Sequence, residues 1–172
     1  MSRATVRSAI TSYLEAANVE YLTSVKPFPP KLTLEGEFYN GADPNHTSGC
    51  IIFLWIESER ENRIALGGAH NGRKVVEYSF IMDCYFRSVE PQSEDAAAQN
   101  EAFLDSLIAA IRADRNAGAP GTVFVWGEGP HPQGDGPDIE VTSYYPRNLK
   151  AGSQLTQTYS NIRVMVLEEI DS

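Results

Sequence analysis

The chain has 172 residues, 42% of them hydrophobic and 22% charged, and carries a formal net charge of −9. That length suits one domain able to bury roughly two thirds of its unfolded surface, and the acidic balance excludes the basic footprint that strong nonspecific nucleic-acid binding requires. The longest unbroken apolar run, Cys50–Ile56, has seven residues, far short of the ~20 that cross a bilayer.

The start, Met1-Ser2-Arg3-Ala4-Thr5, lacks a secretory apolar core and leads to the expectation of a cytoplasmic protein. Val6, Ala9, Ile10, Tyr13, Leu14 and Ala17 recur at helical spacing, predicting an amphipathic helix from about Thr5 to Asn18, capped by Ser2 or Thr5. From Val19 to His46 the prolines at 27, 29, 30 and 44 argue for irregular chain. Val25–Pro30 should be extended and polyproline-like, with Phe28 either a core anchor or a contact for a neighbour. Leu32–Glu35 could add a short strand.

Cys50–Ile56 is apolar at every position, so it predicts a strand, Cys50–Glu57, covered on both faces. A small domain with so much two-sided strand surface is expected to complete its burial against other subunits. A charged turn (Glu57–Arg63), a short strand (Ile64–Leu66) and the glycine-rich turn Gly67–Gly72 then lead into a long strand reaching Arg87. Val76, Tyr78, Phe80, Met82, Cys84 and Phe86 fall on one of its sides; Glu77, Ser79 and Asp83 share the other with Val75, Ile81 and Tyr85.

Pro91-Gln92-Ser93 caps a second helix, Glu94 to about Ala113, with Glu94 and Asp95 at the positive end of its dipole. Its buried face is predicted as Ala96, Asn100, Phe103, Leu104, Leu107, Ile108 and Ile111, and Asn116–Gly121 ends it. A short strand Thr122–Trp126, a glycine- and proline-rich loop Gly127–Pro137, and strands Asp138–Tyr145 and Leu155–Ile170 complete the chain. The last strand sets Ile162, Val164 and Val166 against Tyr159, Met165 and Leu167. The expected architecture is one α+β domain, residues 1–172: a mainly antiparallel sheet with two packed helices.

Reactive groups do not converge in the sequence. Cys50 and Cys84 sit in predicted strands and read as buried free thiols. Asn45-His46-Thr47 matches a glycosylation acceptor only by pattern. Gly67–Lys74 superficially resembles a phosphate-binding loop, but a true P-loop puts Gly-Lys-Ser/Thr directly before a helix, and here Arg73-Lys74-Val75 opens a strand. Asn71-Gly72 is instead a tight-turn pair. His46, His70 and His131 lie in separate loops without metal-ligand spacing, and no Gly-x-Ser-x-Gly elbow is present. Gly127–Pro132 could bring Glu128 near His131, without an evident third partner. Trp55, Trp126 and the strand tyrosines read as core packing or as a protein interface. No cofactor and no enzymatic activity are expected. The candidate interface comprises Phe28; Gly67, Gly68, His70, Asn71, Gly72, Arg73 and Lys74 of the turn; and Glu128 and His131 of the long loop.

Taken in order, the helix Val6–Ala17, Pro29-Pro30-Lys31-Leu32-Thr33, Ile64–Lys74, Phe103-Leu104-Asp105 through Ile111–Arg115, Phe124–Gly129 and the final strand resemble the tail terminator proteins of long-tailed bacteriophages, particularly those infecting actinobacteria. The resemblance covers nearly the whole chain. It implies a ring, usually of six subunits, that caps the tail tube, stops its polymerisation and meets a head-side connector or stopper protein. DNA would pass through a central channel without specific binding, and no membrane would be involved. The implied location is the neck region of the virion tail, after assembly in the host cytoplasm. The resemblance brings no catalytic or cofactor-binding residues, and interface positions do not transfer individually. The rivals are another neck component or a tail-tube subunit and, from a different class, a small enzyme or ligand-binding domain using Glu128, His131 or His70.

Overall fold

A helix whose apolar residues recur every fourth position must lie with that stripe on something apolar. In a computed structural model of the protein, which describes residues 3–27, 48–63, 73–90, 92–114, 116–117, 124–126, 139–144, 147–148 and 156–171, the first such helix is α1, Arg3–Ala16. Its Val6, Ile10 and Leu14 are fully buried. The second is α2, Ser93–Ala113, which buries Ala96, Asn100, Phe103, Leu104, Leu107 and Ile111, while Ile108 is only half-buried. Glu94 and Asp95 occupy its first turn as expected, but Gln92 holds the N-cap position and makes no side-chain capping bond; Ser93 is already helical. The helix closes at Asp114, whose Oδ1 accepts a hydrogen bond from the Asn116 amide at 2.9 Å. Ala117 then takes a positive φ of 47°, and its methyl is buried.

Among the described residues, seven strands form one sheet: β1 (Leu22–Lys26), β2 (Gly49–Arg63), β3 (Arg73–Ser88), β4 (Phe124–Trp126), β5 (Ile139–Ser143), β6 (Arg147–Asn148) and β7 (Thr156–Asp171). The spatial order is β1-β2-β3-β7-β4, with β5 and β6 also pairing β7. Among the described pairings only β1–β2 is parallel. The far edge of β7 is shared end to end by three short strands: β4 beside Val166–Glu168, β5 beside Ser160–Val164, and β6 beside Thr156–Gln157. The fold is α+β with a mainly antiparallel sheet and, among the described residues, two helices, as the order of elements predicted.

Two expectations fail here. The region after Val19 is not wholly irregular, because Leu22–Lys26 adds a parallel edge strand against Cys50–Phe53. The prolines that argued against it begin only at Pro27. Tyr21 enters this strand with φ of 59°, a costly conformation for a bulky residue. Its ring is held edge-on against Phe86 at 5.7 Å and its carbonyl accepts from the Cys50 amide. Second, Glu57–Arg63 is not a turn. β2 runs on through it, paired with β3 as far as Arg63↔Lys74. An irregularity between Ile56 and Ser58 shifts the register by one residue, so the alternation that is even-numbered through Ile56 becomes odd-numbered at Glu59. That phase change, together with the charges, disguises the strand. The proposed short strand Ile64–Leu66 and the possible one at Leu32–Glu35 lie outside the described residues.

Both helices pack on one face of the sheet. Cys50, Ile52 and Leu54 of β2, the even-numbered residues Val76–Phe86 of β3, and Ile162, Val164 and Val166 of β7 form a single core with them. The predicted sidedness of β3 and β7 is therefore correct. Each fully buried large apolar side chain contributes about 1.5–3 kcal/mol, and Phe86 at 5.9 Å from Phe103 ties α2 to the sheet. Polar links fix the layers: Tyr13 donates from its hydroxyl to the Ala110 carbonyl at 2.7 Å, and Ser48 and Ser88 both donate to Gln99 Oε1 at 2.7 and 2.8 Å. Cys50 and Cys84 are buried free thiols, as expected. Burial, then the neighbouring Cys84, push the Cys50 thiol well up. Among the described residues no helix is long and apolar enough to cross a membrane.

Candidate assembly surface

The second face of the sheet carries no described helix. The odd-numbered residues from Val75 to Arg87 of β3 and from Gln157 to Leu167 of β7 point to it, with Ile51, Phe53 and Trp55 from β2. Ile51, Phe53, Val75, Ile81 and Leu167 are buried there, and Cys50–Leu54 are all buried within one chain. Five of the seven residues of the apolar run thus leave water within one chain, whereas Trp55 and Ile56 at its end are half-buried.

Asp83 sits centrally on this face. Trp55 Nε1, the Tyr159 hydroxyl and Asn161 Nδ2 donate to its carboxylate at 2.9, 2.5 and 2.8 Å. The pairing brings them together because Asp83 lies opposite Phe53 on one side and Asn161 on the other. An aromatic row crosses the strands beside it: Phe53 against Tyr85 at 5.6 Å, Tyr85 against Tyr159 at 5.0 Å, and Tyr159 against Tyr144 at 5.2 Å. Such ring pairs add about 0.5–1.5 kcal/mol each beyond their buried area. Tyr144 ends the row at the margin of the sheet and is 53% exposed.

Burial, followed by the hydrogen bond to Asp83, pushes the Tyr159 hydroxyl well above its ordinary value of 10; burial and the hydrogen bond to Glu168 do the same to Tyr78. Tyr78 donates to Glu168 Oε2 at 2.9 Å in the helix-side core. A phenol whose folded pKa is raised favours folding fully below the unfolded value near 10 and loses that contribution as pH climbs above it. Unfolding free energy should therefore be flat to about pH 9.5 and fall between about pH 10 and 12. Tyr159→Phe should show a shallower fall; an unchanged alkaline slope in denaturation curves would count against buried, hydrogen-bonded phenols.

Charged groups line the surface in pairs. Arg163 Nη2 lies 3.0 Å from Glu57 Oε2, and its Nη1 lies 3.8 Å from Glu140 Oε2. Lys74 Nζ contacts Glu61 Oε1 at 2.8 Å, and Arg3 pairs with Glu59. All are solvent-facing and contribute at most about 1 kcal/mol each. An open depression of about 280 Å³ lies beside β1, lined by Glu15, Ala17, Asn18, Val19, Leu22, Thr23 and Ser24. Among the described residues, no group of three or more His, Cys, Asp or Glu could hold a metal ion.

No protein-family model and no curated protein matches the chain. The site must be read from its own geometry.

Of the ten candidate interface residues, Phe28, Gly67, Gly68, His70, Asn71, Gly72, Glu128 and His131 lie outside the described residues. Arg73 and Lys74 belong to no turn: they open β3, paired with Asp171 and Ile170 of β7, and Lys74 also faces Arg63. Sequence reasoning missed the margin formed by β5. Glu140, Val141, Thr142 and Ser143 are exposed one after another along that strand, and Val141 and Tyr144 are exposed large hydrophobics. The available signal was Ile139-Glu140-Val141-Thr142-Ser143-Tyr144 itself, with four β-favouring residues among six and one charge.

Proposed function

We propose that this protein is a structural virion component that assembles as a ring, read as a hexamer, to cap a phage tail tube and end its polymerisation. On this reading the ring lies in the neck, offers its other surface to the head-side connector or stopper, and lets DNA pass without retaining it. The role is one of contact, not catalysis. The observation that supports an assembling protein is at β5, which among the described residues has a backbone partner on one side only, is exposed along Glu140–Ser143 and, with the residue that follows it, carries Val141 and Tyr144 to solvent. Exposed apolar groups gathered at one margin suit a protein interface. The choice of a tail-capping ring over other assemblies rests on the ordered resemblance of the sequence to tail terminators.

Light scattering at micromolar concentration tests the ring. The expected mass is about six times the 19.0 kDa of the chain, with annular particles in electron micrographs. A protein that stays monomeric and never associates with tail tubes contradicts the reading.

A further inference from the structure

A sheet that does not close has two margins, and each offers unpaired N–H and C=O groups to another chain unless it is guarded. The margins here are guarded unequally. The outer edge of β2 beyond Phe53 has no strand beside it among the described residues. It carries Glu57, Glu59, Arg60 and Glu61, charges of the kind that repel edge pairing. β1 and β5 lack that protection. Among the described residues β1 pairs only β2, and β5 pairs only β7. β1 has one charge, Lys26, and β5 has one, Glu140, of opposite sign. Neither contains proline.

The two margins also differ in relief. β5 presents the exposed Val141 and Tyr144, whereas β1 flanks the depression between itself and the end of α1. One margin bears an exposed apolar group on each face, and the other borders a hollow on the helix side. Three strands, β2, β3 and β7, separate them, placing β1 and β5 roughly 19 Å apart at about 4.8 Å per strand step. A contact that joins two different patches on the same subunit is heterologous, and repeated with rotation it closes a ring.

We infer that the β5 margin of one copy adds to the β1 edge of the next copy, so that Val141, opposite Ile162 on the helix-side face, seats at the depression beside β1, Tyr144 lies on the other face with Tyr159, and the sheets run on from subunit to subunit. Main-chain pairing supplies the affinity, as in strand addition generally, and the apolar side chains set the fit. This inference rests on the ring reading and names the surfaces that make the ring.

Chemical cross-linking tests it on the full chain. Thr23 on β1 and Thr142 on β5 are exposed, and the native Cys50 and Cys84 are buried. Chains carrying Thr23→Cys and chains carrying Thr142→Cys are treated with a short flexible bismaleimide, separately and mixed. The expected result is a covalent dimer in the mixture, none with either variant alone, and a ladder up to the full ring for the double variant. As a second measurement, Val141→Lys should reduce the scattering mass to that of a single chain while the unfolding midpoint of the monomer stays unchanged.

Dimers from Thr142→Cys alone would mean a twofold edge contact and overturn the inference. An oligomer of ring mass with no mixed product, and with Val141→Lys still assembled, would overturn the edge pairing while leaving the ring reading intact. A monomer with no product in any lane would overturn both.

Discussion

Phe86→Ala should lower the unfolding free energy by about 3–5 kcal/mol, the range for removing a large aromatic side chain from a packed core. Phe86 is fully buried on β3 and touches two elements besides its own strand. Tyr21 meets it edge-on at 5.7 Å and Phe103 of α2 lies at 5.9 Å. Truncation would leave a cavity at the point where the entrance to β1, the middle of the sheet and the second helix join. It would also release the packing that holds Tyr21 at its positive φ. For a domain whose whole stability is about 5–15 kcal/mol, that loss is a large fraction. Denaturant unfolding at fixed protein concentration measures it; a loss under about 1 kcal/mol would show that the three elements are not joined through this ring.

The second large effect is expected at Asp83. Asp83→Ala removes the shared acceptor of Trp55, Tyr159 and Asn161 and should cost about 3 kcal/mol. That is less than three full charge-assisted bonds, because half-buried donors recover some contact with water. Asp83→Asn keeps one carbonyl acceptor and should lose about half as much. The indole of Trp55 gives an independent readout, since loss of its hydrogen bond should shift its emission in the folded state. Asp83→Ala with wild-type stability and unchanged emission would mean that the carboxylate does not organise this face.

The helices and the long strands were legible because period and burial agree in them. Val6, Ile10 and Leu14 repeat every four residues and are buried together; Val76 to Phe86 alternate and line the core. Two features hid the rest. In β2 the register shift after Ile56 breaks the alternation where charged residues begin, so a strand edge kept polar by its exposure reads like a turn. In β1, five residues with only Val25 buried offer too short a pattern to stand against the prolines that follow. The apolar run Cys50–Ile56 was read as covered on both faces; Cys50–Leu54 are, within one chain, while Trp55 and Ile56 are half-buried. The candidate surface was the least legible part. Whether Val141 and Tyr144 meet solvent depends on β5 standing at the margin of the sheet, and sequence alone does not give the order of strands. The aromatic row from Phe53 to Tyr144 likewise exists only through the pairing of β2, β3 and β7, which aligns residues more than a hundred positions apart.

The tail-capping role is tested most directly by the length of tail tubes made with and without this chain. Electron micrographs of tubes assembled in cells expressing the tail genes should show a single length with a ring at one end when the chain is present. When it is deleted, overlong tubes of scattered length should replace them, and supplying the chain again should restore the uniform length. Tubes of the same uniform length in its absence would contradict the proposed function.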